Sequence, residues 1–386
     1  MPSASRLAAL ARHHRRSPFR AAASAPRRQR TAVVLGRLIA VCFTVCLLTG
    51  MYSHFLQEPA AWMSFPTRPV WLYRVSQGAH VATGTALVPL LLAKLWTVYP
   101  RLFSWPVVRG GLHALERLSI AVLVSTAVLQ LFLGFANTVK WYPWPFSFRT
   151  VHFWLSLVIL GSLLIHIAVK LPVIQRHWRG SREPQPPGPG WTRRGFLTGV
   201  ATATAAVTVT TVGQAVTPLS PAALLAPRKP GVGPQGLPVN RTAAAARVHT
   251  AATDPGWRLT VRGPVTVVYG LSELGELPQY EVELPISCVE GWSQNAVWGG
   301  VRLRDLLERS RTPRGAAVEV SSLERDGHYR TSQLGGEFAW DSESLLALRL
   351  GGEVLHLDHG YPARIITPAR PGVLQTKWVD SIEVLA

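Results

Sequence analysis

Five apolar stretches, at about residues 38–56, 79–98, 118–137, 151–171 and 195–216, constrain this chain more than any other feature. Each approaches the ~20 residues that an α-helix needs to cross the hydrocarbon core of a bilayer. The first lies too far from residue 1, and is too closely followed by others, to be a simple signal peptide. The chain has 386 residues and a formal charge of +19, which alone would suggest a nucleic-acid partner. Residues 1–225 hold 23 Lys and Arg against three acids, Glu58, Glu116 and Glu183, whereas residues 226–386 hold 17 against 18 acids. The excess therefore lies in the apolar half, as in membrane proteins with arginine-rich cytoplasmic loops, and no nucleic-acid partner is expected.

The same residues predict an orientation. Residues 1–37 carry nine arginines, and the second and fourth connections hold Lys94, Arg101, Arg109 and Arg117, then Lys170, Arg176, Arg179, Arg182, Arg193 and Arg194. The first and third connections have only Arg68 and Arg74, then Lys140 and Arg149. Basic loops stay inside. A multi-pass protein of the cell membrane is expected, with membrane lipid as a partner, a cytoplasmic N-terminus and an extracytoplasmic C-terminal half. Trp62, Trp71, Trp141, Tyr142 and Trp144 crowd the outer connections, as interfacial aromatics do.

The expected organisation is a disordered basic tail (1–30), a four-helix transmembrane domain (31–180), a fifth membrane helix (191–216), a Pro/Ala/Gly linker (217–250) and a folded domain (251–386). The string Trp191-Thr-Arg-Arg-Gly-Phe-Leu197 before a weakly apolar run resembles a twin-arginine export signal, a class that passes folded, cofactor-loaded domains. Beyond residue 257 come short β-like runs, WRLTV, VTVVY, YEVELPISC, AVEVSS, EVLHL, ARIIT and SIEVL, with a short helix near 301–310. The fold class is thus a membrane all-α bundle of about five helices followed by one α+β domain.

Ionisable side chains inside a bilayer are costly and mark function. His152 and His166 lie 14 residues apart in the fourth apolar segment, roughly 21 Å along a helix and on one face of it. One helix thereby offers a ligand near each membrane face. This resembles the cytochrome b domains that stack haem in a helical bundle. The resemblance implies an outer haem b on His80 and His152, with His54 competing for the first position, and a second haem on His166. The place of a second histidine on the partner helix is taken by Lys94, and His113 is the substitute.

Cys288 is the only cysteine beyond the apolar half, in Pro285-Ile-Ser-Cys288-Val-Glu-Gly-Trp-Ser293, ahead of Val297-Trp-Gly-Gly-Val-Arg-Leu-Arg-Asp-Leu-Leu307. Asp358-His-Gly-Tyr-Pro-Ala-Arg364 and Gln375-Thr-Lys-Trp378 follow. Together these strings resemble the molybdopterin-binding core of the sulfite oxidase family. The resemblance implies that Cys288 binds molybdenum held by a pterin dithiolene. It also implies that His359, Arg364 and Lys377 contact the pterin and its phosphate, with Asn240 as a further contact. Fixed guanidinium and ammonium donors suit a buried dianion.

Sulfite-oxidising members usually follow the cysteine with a Gly-Asn-Arg type string, whereas Val289, Glu290, Gly291 and Trp292 stand here. This is closer to the bacterial subgroup that includes periplasmic methionine-sulfoxide reductase. Glu290 is a candidate proton relay beside the metal, and Tyr329, with Asp326, matches a segment lining the substrate side. Arg302 and Arg304 either supply positive charge to the site or lie on a helix surface, and the sequence favours neither. The expected function is a molybdopterin-dependent oxidoreductase passing electrons between membrane haem, quinone or quinol, and an extracytoplasmic site, with an S-oxide as the small-molecule substrate. Oxidation of sulfite or another small molecule, and a non-catalytic electron-transfer protein, are the alternatives.

Overall fold

A computed structural model describes residues 29–60, 62–103, 106–178, 191–213 and 217–385. The expected tail therefore falls almost wholly outside the described residues. Five long helices come first: α1 (Gln29–Gln57), α2 (Leu72–Leu102), α3 (Gly111–Val139), α4 (Phe148–Trp178) and α5 (Arg193–Val212). By length and composition, all five are able to cross a membrane.

The described residues divide into two compact units, one drawn from residues 29–45, 83–137 and 142–208, the other from 46–82, 138–141 and 209–385. The division cuts through α1 and α2 and assigns the first connection to the C-terminal unit.

In the helical unit, Leu35, Leu90 and Ala93 are buried against Phe196, Leu197 and Val200. Trp96 stacks on Phe196 at 5.2 Å between centroids. Thr192 opens α5, its hydroxyl accepting from the Gly195 amide at 3.0 Å, as a capping threonine does. The Phe-Leu pair of the twin-arginine-like string is thus part of the packing of this unit.

The second unit holds two five-stranded sheets. The strands are β1 (Arg258–Arg262), β2 (Thr266–Gly270), β3 (Tyr280–Ser287), β4 (Ser293–Arg302), β5 (Val318–Ser322), β6 (Thr331–Leu334), β7 (Leu345–Leu350), β8 (Glu353–Val354), β9 (Arg364–Ile366) and β10 (Val379–Val384). The first sheet runs β2-β1-β10-β5-β6; the second runs β3-β4-β7-β8, with β9 also on β7. Among the described strands, only β1 and β10 form a parallel ladder, which brings the last strand to the middle of the first sheet. Alternation in β1 buries Leu259 and Val261, which meet Leu303, Leu306 and Leu307 of the short helix Leu303–Arg309. Each such side chain contributes roughly 1.5–3 kcal/mol on burial.

Residues from the α1–α2 region join this core. Leu56 and Tyr73 are buried in the same cluster as Trp257 and Val320. Arg68 pairs with Asp341 at 3.1 Å and Glu343 at 2.9 Å, and the Phe65 amide donates to Glu337 at 3.1 Å. Residues 217–250, expected as a linker, contain 3-10 turns at Thr217–Ala222 and Pro234–Gly236 and short helices at Ala243–Ala246 and His249–Ala252. Leu237, Ala246 and Val248 are buried there. Small apolar residues in a proline-punctuated segment have found core partners rather than solvent.

Candidate functional site

Cys288 sits at the tip of the β3–β4 hairpin. The ladder ends at Ser287 opposite Ser293, whose hydroxyls lie 2.7 Å apart. The loop between them is closed by the Cys288 amide donating to Trp292 O at 2.9 Å and the Gly291 amide donating to Cys288 O at 3.0 Å. Gly291 has φ +92°, and a Cβ there would lie 2.9 Å from Val81 of α2, so the position needs glycine twice over. Cys288 is buried, which pushes its thiol up to about 12, with the neighbouring Glu290 charge acting in the same direction. A buried thiol this reluctant to ionise stays protonated unless a bound metal displaces its proton.

Glu290 is only 2% exposed. Its carboxylate meets Lys140 Nζ at 2.9 Å, accepts from Trp292 Nε1 at 3.1 Å, and has Arg228 Nε at 4.0 Å. Lys140 ends the α3 side of its connection in the left-handed region, at φ +57°, and also donates to the Asn240 carbonyl. Gln77 of α2 donates to Val289 O at 2.6 Å. The hairpin tip is therefore gripped by side chains far away in sequence. Tyr329 is partly buried, and its hydroxyl donates to Gln57 Oε1 of α1 at 3.0 Å. Asp326 lies on an exposed turn, paired with Arg247 at 3.6 Å.

The second string forms a cationic nest. His359 is buried at the end of the 3-10 turn Leu357–His359, its Nε2 bonded to Pro234 O at 2.7 Å. Gly360 follows at φ +110°, where a Cβ would press on Lys377 and Arg364 at 3.0 and 3.1 Å. Arg364 opens β9, donating to His359 O at 3.0 Å and Gln375 O at 3.4 Å beneath the Trp298 ring. Lys377 donates to Asp358 O at 2.9 Å and to Arg241 O. Burial lowers all three: His359 to about 4, Arg364 to about 9 and Lys377 to about 7, with the Arg364 charge adding to the last. Among the described residues, Arg364 Nε, Thr367 Oγ1, Gln375 Oε1, and Nε and Nη1 of Arg370 are buried without a hydrogen-bond partner. Buried cations satisfied only by carbonyls, beside orphaned polar atoms, fit an anionic, hydrogen-bonding ligand such as a pterin phosphate.

The structure thus gathers His359, Arg364 and Lys377, and separately Cys288 and Glu290. The Asn240–Arg241 segment links the groups, its two carbonyls receiving Lys140 and Lys377. Arg302 stacks on Tyr280 at 3.6 Å and Arg304 pairs with Asp305 at 3.6 Å, so both have surface partners.

The helical histidines differ in setting. His80 Nδ1 donates to Cys46 O at 2.8 Å, which makes Nε2 the nitrogen a metal would use. A Cβ on Gly50 would lie 2.8 Å from the His80 ring, and one on Gly134 would lie 3.2 Å from the His152 ring. Each imidazole thus lies against a glycine of a neighbouring helix, where a side chain would collide with the ring. His166 lies in electrostatic range of Lys94, Lys170 and Glu116, and Lys170 pairs with Glu116. His113 Nδ1 accepts from the Arg109 amide at 3.2 Å, a local role at the start of α3.

Sequence reasoning missed Lys140, Gln77, Arg228 and Arg370. Lys140 entered only as a loop charge, and Gln77 lacks any motif. Arg370, 4% exposed over Phe338, stands beside Pro371, which bridges to Ser287, and that proximity has no sequence signal.

Residues 245–386 match the family described as oxidoreductase molybdopterin binding domain. The chain is 32% identical to a sulfite oxidase of Arabidopsis thaliana over 149 residues, covering 30% of this chain and 38% of that protein. It is 31% identical to an uncharacterized oxidoreductase of Bacillus subtilis (strain 168), covering 33% and 64%. It is 26% identical to the mitochondrial sulfite oxidase of Homo sapiens, covering 36% and 29%. The chain spans less than two thirds of the length of each of these relatives.

Proposed function

We propose that the chain, whose residues 245–386 match an oxidoreductase molybdopterin binding domain, is a membrane-bound oxidoreductase of the sulfite oxidase type that reduces S-oxides with electrons from membrane quinol. The buried Cys288 at a hairpin tip, next to the His359–Arg364–Lys377 nest, carries this reading. Molybdenum held by a dithiolene and a thiolate supplies two-electron oxygen-atom chemistry. Cys288 is its protein ligand. Arg364 and Lys377 neutralise the pterin phosphate, and His359, neutral at physiological pH, offers hydrogen bonds without adding charge. In the net reaction the S=O bond breaks, and the oxygen leaves as water with two protons. The two electrons, and the balancing protons, come from quinol oxidised to quinone. Proton delivery is assigned to Glu290, two residues beyond Cys288, and the substrate side to Tyr329.

The apolar half serves as membrane anchor and electron carrier. Leu48, Leu92, Leu118 and Leu164 are each 60–64% exposed, a surface that suits lipid rather than water. The Lys and Arg asymmetry supports a cytoplasmic N-terminus and an extracytoplasmic catalytic domain, exported by way of the twin-arginine-like string. Haem b is held through His80, with its sequence-matched partner His152, and a second haem draws on His166, with His113 as partner.

A second reading, oxidation of sulfite with electrons passed to the membrane, is favoured by Lys140 and Arg228. Both lie within 4.0 Å of Glu290 and offset the negative charge that would repel an oxyanion. Purified protein analysed for molybdenum, pterin and haem, then assayed with S-oxides and with sulfite, tests both. Metal-free, pterin-free folded protein defeats either reading.

A further inference from the structure

A buried polar chain runs from Tyr329 to the cysteine loop through α1 and α2. Tyr329 donates to Gln57 Oε1 at 3.0 Å, and Gln57 Nε2 donates to Ser53 O at 3.0 Å, with Ser53 Oγ at 3.3 Å. The Ser53 hydroxyl meets Tyr73 OH at 3.0 Å, Tyr73 OH donates to Gln77 Oε1 at 3.4 Å, and Gln77 Nε2 donates to Val289 O at 2.6 Å. Ser53, Tyr73 and Gln77 are each at most 7% exposed. Every member belongs to one compact unit. Two amides interrupt the chain, so it does not conduct protons by hydroxyl hopping; its fixed geometry is what it offers.

That geometry bears on His80. Gln77 and His80 are three residues apart on α2, about 4.5 Å along the axis and neighbours on its surface. Val81, the next residue, touches Gly291. The turn of α2 from Gln77 to Val81 is therefore seated on the Cys288 loop at two points, with His80 between them. One peptide unit separates the hydrogen-bonded Val289 carbonyl from Cys288.

We infer that Gln77 is a positioning residue for electron transfer: its hydrogen bond to Val289 O couples the His80 imidazole to the Cys288 thiolate through one turn of α2. Tyr73 and Ser53 hold the Gln77 amide in the orientation that makes this bond. The inference rests on the reading of His80 as a haem ligand and Cys288 as the molybdenum ligand. Electrons pass singly along this route, two in succession for each S-oxide reduced, with quinol as their source.

The test uses the full-length, detergent-purified protein and laser-flash photoreduction with a deazaflavin, which follows haem reoxidation without substrate turnover. In Gln77→Leu the internal transfer rate falls by at least about tenfold, as for other residues that orient a metal ligand. Haem absorbance, molybdenum content and the haem midpoint potential stay as in the unsubstituted protein. Tyr73→Phe, which keeps the Val289 bond, gives a smaller loss. A Gln77→Leu rate equal to the unsubstituted one, with both cofactors loaded, overturns the inference and leaves the parent reading standing. Protein that contains molybdenum but no b-type absorbance overturns the parent reading and the inference with it. Should Gln77→Leu not fold, Gln77→Met, which keeps the side-chain length and removes the donor to Val289 O, decides by the same rate: a fall is expected, and an unchanged rate overturns the inference.

Discussion

The cationic nest and the cysteine loop solve the same problem, holding a charged group in a dry interior, by different means. In the nest, His359, Arg364 and Lys377 all bond to backbone carbonyls, those of Pro234, His359, Gln375, Arg241 and Asp358. A carbonyl is present whatever the side chain, so the nest is set by the path of the backbone. At the cysteine loop the partners are side chains: Lys140 and Trp292 on Glu290, and Gln77 on Val289. The anchor for a cofactor thus belongs to the fold, whereas the surroundings of the reactive atom belong to particular residues that can be exchanged.

The largest effect expected from breaking this arrangement is at the metal ligand. Cys288→Ser abolishes turnover while the b-type absorbance is kept, measured on one preparation. Unchanged turnover would remove the cysteine from the site altogether. Next comes the nest. Arg364→Leu removes charge-assisted bonds worth roughly 1.5–3 kcal/mol each. Pterin retention then falls by about 10–100-fold, read as pterin per polypeptide. If retention is unaltered, the orphaned Arg364 nitrogen has another purpose.

Protonation separates the two regions further, because their linkages have opposite sign. Lys377 is lowered to about 7 chiefly by burial, so it is charged below that pH and neutral above it. A bound anion favours the ammonium form. Affinity for metal-free pterin therefore declines as pH rises through about 7, and binding above it takes up a proton. Lys377→Arg flattens this dependence. At Cys288, with its thiol near 12, metal binding instead releases a proton, so metal insertion is favoured by rising pH. Calorimetry in buffers of different ionisation enthalpy measures both proton counts. Two counts of the same sign would contradict the division drawn between the regions.

The contrast also explains what the sequence disclosed. The nest and Cys288 were legible because their residues fall in short strings around strand ends, where local spacing equals local geometry. The five long helices were legible from apolar length. Strand β7, Leu345–Leu350, was not, since its apolar stretch Leu345–Leu348 ahead of Arg349 carries no period to separate strand from helix. Strand β4 was obscured by Gly299, Gly300 and the polar Ser293-Gln-Asn295. A Cβ on Gly300 would lie 2.1 Å from Leu346 O, so the glycine that weakens the strand signal is what lets β4 approach β7. Lys140, Gln77 and Arg228 were illegible for a deeper reason. They act on a loop 62 to 212 residues away, and nothing local marks a lysine as the partner of a distant buried carboxylate.

The smallest of the expected effects tests that last point. Lys140→Met leaves the Glu290 carboxylate, 2% exposed, with Trp292 Nε1 and the more distant Arg228. An imperfectly compensated buried charge costs about 1–3 kcal/mol, seen as a lower Tm. Glu290→Gln in the same chain removes the charge that needed Lys140, so the double variant regains most of the loss. A simple sum of the two single effects would mean that the pair is not coupled. The cysteine loop would then be held without help from that ion pair, by Gln77, Trp292 and its own backbone.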